Sequence, residues 1–266
     1  MSEPIAESGG HVLVVGASSG IGRAVAERLR AGGARITALA RPPPPQHAGA
    51  GRPDQSGHRG APPRPHRRRA LRGRQPAARR CGRRGCGPAP RRAAAAHPPG
   101  LLTGLVYCAG VQVIKPMRSL GVEEVERLYR TNLVAPTLFA AAFGSARVST
   151  RDAVFCAVSS VAAQRPEPAI VPYAASKAGL DALIKGLARE LAPRRAVGVA
   201  PGWLDTEMTQ AHARLYGAEF KEALEKRSPA GAATVESVVD AIAFLMSSQA
   251  RHVTGEILRV DGGAVL

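Results

Sequence analysis

Tyr173 and Lys177 stand four residues apart in the stretch PYAASKAGLDALIKGLARELA. On a helix that spacing puts both side chains on one face. An isolated phenol has a pKa of about 10 and keeps its proton at neutral pH, whereas a fixed ammonium beside it favours the phenolate and draws the value down. Such a pair is suited to exchanging a proton with an alcohol or carbonyl oxygen. Ser160, 13 residues before Tyr173, supplies a hydroxyl that can hydrogen-bond the same oxygen as charge shifts onto it. Taken singly, each residue also has an ordinary reading: Tyr173 as a half-buried helix residue, Lys177 as a solvated one, Ser160 as a helix cap.

The flanking patterns supply elements that would hold these groups. Ala153 to Val158 reads as an apolar strand that delivers Ser159 and Ser160 at its carboxyl end, where open α/β sheets bind their ligands. Near the start, HVLVVGASSGIGRAVAERLRAGGARITALAR reads as a β-branched strand, a glycine turn, a helix with Ile21, Val25 and Leu29 on one face, and a second strand from Arg35 to Ala40. The turn is Gly16-x3-Gly20-x-Gly22. Glycines there permit positive φ and close backbone approach, so that amides at the helix N-terminus can face a diphosphate. Leu105 to Gly110 predicts another buried strand, and Thr131-Asn132-Leu133 opens a long apolar helix.

Taken in order, these motifs resemble the short-chain dehydrogenase/reductase family over residues 10–41 and 101–266. Gly16-Ala17-Ser18-Ser19-Gly20-Ile21-Gly22 is similar to the family's cofactor turn, Ala109-Gly110 to the end of its Asn-Asn-Ala-Gly signature, and Asn132 to its catalytic asparagine. Ser160, Tyr173 and Lys177 match its catalytic serine and Tyr-x-x-x-Lys pair. Pro201-Gly202-Trp203-Leu204-Asp205-Thr206 matches the loop that contacts the nicotinamide, and Val260-Asp261-Gly262-Gly263 the end of its last strand. The resemblance implies a single α/β domain with a Rossmann-type doubly wound parallel sheet. It also implies NAD(P)-dependent hydride transfer between the nicotinamide and a carbonyl or secondary alcohol of a small molecule. In that reading Tyr173 is the general acid/base, Lys177 tunes it and holds the nicotinamide ribose, Ser160 orients the substrate carbonyl, and Asn132 keeps a water in a proton relay. Residues 204 to 230, with an amphipathic helix from Ala218 to Lys226, correspond to a mobile lid. Helices starting near Val134 and Tyr173 correspond to those that build a homodimer or homotetramer.

Cofactor choice is read at the end of the second strand, where an acid would bond the adenosine 2′-hydroxyl and a base would accept a 2′-phosphate. Here Ala40 is followed by Arg41 with no acid nearby, so NADP is expected ahead of NAD. Several positions depart from the family pattern. Tyr107-Cys108 replace two asparagines that commonly brace adjacent strands, and RAVGVAPG, from Arg195 to Gly202, is approached by a connection about two residues short.

Residues 42–99 are of another kind. They hold 14 Arg, 13 Pro, 11 Ala and 8 Gly, a single Leu (Leu71) and a single acid (Asp54), and carry +13 of the chain's +17. Without apolar residues to bury, such a segment is expected to be disordered, in the place of the family's third strand. Its composition is that of a GC-rich reading frame shifted and later restored. A genuine disordered insertion and a polyanion-binding arm are the alternatives; the segment has no aromatic residue on which bases would stack, and nucleic acid is not the expected partner. An inactive relic of the family, or a basic binding protein on a damaged scaffold, is the competing functional class. No apolar run approaches the length of a membrane span, MSEPIAESGG lacks the features of a secretion signal, and Cys81, Cys86, Cys108 and Cys156 suggest neither a disulfide framework nor a metal site. A cytoplasmic protein without metal is the expectation.

Overall fold

The computed structural model describes residues 9–40, 100–210 and 218–265. Arg41 and the basic segment 42–99, with its expected disorder and its place in the third-strand region, lie outside the described residues.

The chain opens with β1 (His11–Val15), α1 (Gly20–Ala31) and β2 (Arg35–Leu39), the βαβ unit anticipated from the sequence. After β3 (Leu102–Tyr107) a long helical run begins earlier than expected. Helix α2 (Val122–Tyr129) passes through a π turn at Arg130–Val134 into α3 (Ala135–Phe143). Thr131 and Asn132 thus sit in the middle of the run rather than at its start. The Ala135 amide reaches back five residues to the Arg130 carbonyl, so the turn holds one residue more than an α turn. Strand β4 (Ser149–Val158), the 20-residue α4 (Val171–Glu190) and β5 (Arg195–Pro201) follow, then α5 (Glu207–Gln210), α6 (Ala218–Arg227), α7 (Val235–Met246) and β6 (Ile257–Val260).

Among the described residues the strands form one parallel sheet in the order β2-β1-β3-β4-β5-β6. Alternate residues of each strand feed opposite faces. Val12, Val14, Val106, Cys156 and Val199 pack against α1 and α7 through Val25, Leu29, Ile242 and Leu245. Leu13, Leu105, Phe155 and Ala200 pack against α3 and α4 through Phe143, Leu180 and Ile184. Burial on both faces explains why the central strands read as unbroken apolar runs. The connection into β5 closes despite its shortness: every residue of β5 is buried, with Arg195 donating to the Ser247 and Val253 carbonyls at 3.1 Å each.

The chain winds outward from β1 to β2 on one side and from β3 to β6 on the other. The strand order therefore reverses between β1 and β3, and a crevice opens beyond their carboxyl ends. No helix among the described residues is long and apolar enough to cross a membrane. Ile242 is fully buried where α7 meets the sheet, whereas Val122 is 75% exposed. Ile242→Ala is expected to cost about 2–5 kcal/mol in urea unfolding, and Val122→Ala to stay within about 0.5 kcal/mol of the parent chain.

Candidate active site

The glycine turn takes its shape from backbone crowding. Gly16 has φ of +89°, and a Cβ there would lie 2.6 Å from the Ala109 nitrogen. A Cβ on Gly22 would collide with the Gly16 carbonyl oxygen. Only glycine lets α1 start so close to β1 and to the end of β3. Ser19 is the N-cap of α1 yet its side chain accepts no capping bond, and the first turn contains no acid. The amide end of α1 is thereby left to face the crevice, with the positive end of the helix dipole behind it.

The carboxyl end of β4 meets α4 across the sheet. Lys177 is 4% exposed and Tyr173 9%. The Lys177 Nζ donates to the Val158 carbonyl at 2.8 Å and lies 5.8 Å from the centre of the Tyr173 ring. Burial pulls the Lys177 pKa down to about 8, against the opposing pull of the Asp181 carboxylate. Ser160 caps the 3-10 turn Val161–Ala163, its Oγ accepting the Ala162 amide at 3.2 Å. The ordinary reading of Ser160 as a cap is therefore realised, and the same hydroxyl lines the crevice. Its proton remains available to an acceptor, since the cap uses a lone pair.

Asn132 stands behind this wall. Its Nδ2 donates to the Val111 carbonyl at 2.9 Å and to Ser176 Oγ at 3.0 Å, while its Oδ1 accepts the Val111 amide at 2.9 Å. The side chain thus pairs with both backbone groups of one residue, Val111, as a neighbouring strand would, pinning the segment that follows Gly110. Tyr107, in place of a bracing asparagine, also acts as a brace. Its hydroxyl donates to the Thr131 carbonyl at 2.7 Å and ties β3 to the π turn. Burial raises the Tyr107 pKa to about 12 and keeps that hydroxyl a donor.

One cavity of about 610 Å³ unites these parts. Gly16, Ser18, Ser19, Gly20, Ile21 and Gly22 line one end, Ala109 and Gly110 the middle, and Ser160, Tyr173 and Lys177 the other end. Pro201, Gly202, Leu204 and Thr206 close it from β5. Asn132, singled out in the sequence as catalytic, supports the wall without lining the cavity. Val111, Ile170, Arg165 and Arg227 also line the cavity, and nothing in the sequence pattern pointed to them. They come from loops and helix ends with no periodic signal. Trp203 and Phe220 meet edge to face at 5.7 Å, joining the loop after β5 to α6 in the expected lid region. The Ser159–Asp181 hydrogen bond joins residues 22 positions apart and has no local signature in the sequence beyond an acid one turn after Lys177. Among the described residues no cluster of His, Cys, Asp or Glu could hold a metal.

The uncapped α1 terminus and the glycine positions too crowded for any side chain form a cradle that fits a dinucleotide diphosphate. A family model described as Enoyl-(Acyl carrier protein) reductase matches residues 91–265. The chain belongs to this family, the short-chain dehydrogenases and reductases. It is similar to gluconate 5-dehydrogenase of Gluconobacter oxydans (strain 621H), 33% identical over 163 residues that cover 60% of this chain and 62% of that one. It is also similar to 3-oxoacyl-(acyl-carrier-protein) reductase of Aquifex aeolicus (strain VF5), 31% identical over 162 residues that cover 60% of this chain and 64% of that one. The chain spans less than two thirds of the length of these curated relatives. Among solved structures, an oxidoreductase of the short chain dehydrogenase/reductase family from Burkholderia thailandensis has a TM-score of 0.69 at 25% identity, covering 97% of this chain and 93% of that one.

Gly22→Ala is expected to lower the melting temperature and to weaken NADPH binding at least about tenfold, or 1.4 kcal/mol. Gly186, in the interior of α4 with nothing within 4 Å of an added Cβ, is the control. Gly186→Ala should leave NADPH binding unchanged and raise stability by about 0.5–1 kcal/mol.

Proposed function

We propose that the protein is an NAD(P)-dependent oxidoreductase that interconverts a carbonyl and a secondary alcohol on a small molecule, with Tyr173 as the general acid/base. The observation that carries this reading is the convergence of Ser160, Tyr173 and Lys177 on the cavity that also runs over the glycine turn. An intact constellation of this kind favours catalysis over an inactive relic. The dinucleotide, when bound, supplies or accepts the hydride.

In reduction, Tyr173 Oη gives its proton to the substrate oxygen; in oxidation it takes one back. Lys177, held by the Val158 carbonyl, keeps a positive charge beside the phenol and stabilises the phenolate left after proton transfer. Ser160 Oγ donates to the substrate oxygen as negative charge develops there. Gly16, Ser18, Ser19, Gly20, Ile21 and Gly22 would hold the diphosphate, Ala109 and Gly110 would let the dinucleotide pass close to the sheet, and Pro201, Gly202, Leu204 and Thr206 would hold the nicotinamide end. Lys177 would also hold the nicotinamide ribose. Asn132 would belong to the catalytic group through its grip on Val111 and the π turn that carries it, where the family resemblance implies a relay water. The 2′-phosphate of NADP is assigned to Arg41, which follows Leu39 and Ala40 at the end of β2 where an acid would favour NAD. The protein works in the cytoplasm as a homodimer or homotetramer through the outer faces of α3 and α4. Leu138 on α3 and Val171 on α4, with Val134 at the end of the π turn that leads into α3, leave large apolar side chains exposed.

Two tests follow from the site. Tyr173→Phe should lower kcat for carbonyl reduction by at least about a hundredfold, while quenching of Trp203, the single tryptophan, by added NADPH persists. Loss of NADPH binding in the parent chain would refute the reading. Since Lys177 acts as its ammonium and titrates at about 8, kcat/KM for reduction should be full below that pH and fall as pH rises through it. A profile flat through and well above that pH would contradict the role of Lys177.

A further inference from the structure

Asp181 is 8% exposed, on a helix face where an apolar residue would suit the core better. Burying a carboxylate is costly unless it is paired, so its partners matter. Its Oδ1 accepts a short hydrogen bond from the Ser159 hydroxyl. Asp181 also lies one helical turn beyond Lys177, whose Nζ holds the Val158 carbonyl. Two consecutive residues at the end of β4, Val158 and Ser159, are thus gripped by two residues of α4 spaced four apart. The Ser159 amide is fixed as well, donating to the Val199 carbonyl at 2.7 Å. The next residue is Ser160.

We propose that Asp181 is a positioning residue for the proton-transfer group, setting the Ser160 hydroxyl through Ser159 and holding the charge of Lys177 from one turn away. This rests on the reading of Ser160, Tyr173 and Lys177 as the reaction centre. The charged and titratable groups that face Lys177 are Asp181 on α4 and the Cys108 thiol just beyond β3, together with the Tyr173 ring. Burial keeps Cys108 a neutral thiol, because its pKa is pushed far up. Asp181 is therefore the anion that favours the ammonium. Burial raises the pKa of Asp181 itself, while the Ser159 hydrogen bond and then the charges of Lys185 and Lys177 act to keep it ionised.

Substitutions separate the two roles. Asp181→Asn leaves an acceptor for Ser159 and removes the charge; Ser159→Ala removes the hydrogen bond and leaves the carboxyl in place, with the charges of Lys185 and Lys177 still favouring its ionised form. Each variant is read by kcat, by KM, and by NADPH affinity as a function of pH from Trp203 fluorescence. Without its anion the Lys177 ammonium loses its proton at lower pH, so in Asp181→Asn the alkaline midpoint of kcat and of NADPH affinity should move down by about half a unit or more. In Ser159→Ala the midpoint should stay, with kcat falling about three- to tenfold and KM within about twofold. Asp181→Asn with the parental midpoint, or Ser159→Ala with the parental kcat, overturns the proposal. Should Asp181→Asn fail to fold, Asp181→Glu carries the test: it keeps the charge and displaces the acceptor, so kcat must fall with the midpoint unmoved, and a shifted midpoint overturns it. If the parent chain binds NADPH but reduces no carbonyl, the functional reading fails, and the affinity midpoint of Asp181→Asn alone decides the role of Asp181.

Discussion

The bond from the Lys177 ammonium to the Val158 carbonyl is the constraint around which the site is organised. A charge in a nearly closed interior is expensive, and the fold offsets that cost with one backbone acceptor, one carboxylate a turn away and one aromatic face. Each requires a particular element in a particular place. The carbonyl must come from the last residue of β4, and the carboxylate and the ring from α4. Helix α4 can run along the sheet at the right height only because Leu180, Ile184 and Leu187 are buried against β3, β4 and β5. The part of the desolvation cost left without compensation is what brings the pKa of Lys177 to about 8. A group poised there can stabilise a phenolate at neutral pH, which a fully solvated lysine would do less well.

The second constraint is steric. Gly16 and Gly22 let β1, α1 and the end of β3 approach at distances no side chain tolerates, and the Ser19 cap leaves the first amides of α1 turned to the crevice. Because the strand order reverses between β1 and β3, this cradle and the Lys177 seam open on the same side of the sheet. The large positive charge of the chain lies mostly outside the described residues that build this geometry: +13 of +17 belongs to residues 42–99, and the remainder is only mildly basic. Composition averaged over the whole chain thus points toward polyanions, while the residues lining the cavity point toward a nicotinamide dinucleotide.

What the sequence revealed was whatever local periodicity encodes. The β1-turn-α1 unit, the strand before Ser160 and the Tyr173–Lys177 face depend on neighbours within a few residues, and they appear where expected. Boundaries drifted where pairing partners set them: β3 starts at Leu102 because its pairing with β4 extends to Ser149, whereas its register with β1 begins only at Gly104. The π turn at Arg130–Val134 has no periodic signature, so Thr131 and Asn132 read as a helix start when they lie within a longer run. The Asn132 clamp on Val111 and the Ser159–Asp181 bond link residues 21 and 22 positions apart, respectively, and single-sequence patterns do not register such contacts. Arg41, the basis for expecting NADP, lies outside the described residues and rests on the sequence alone.

The most direct measurement is a crystal structure of the ternary complex with NADP and a secondary alcohol. The diphosphate should lie on the amides after Gly16, Lys177 should keep the Val158 carbonyl, and Tyr173 Oη and Ser160 Oγ should both stand within about 3 Å of the alcohol oxygen. A diphosphate bound away from the glycine turn, or an alcohol oxygen beyond reach of the Tyr173 hydroxyl, would contradict this account.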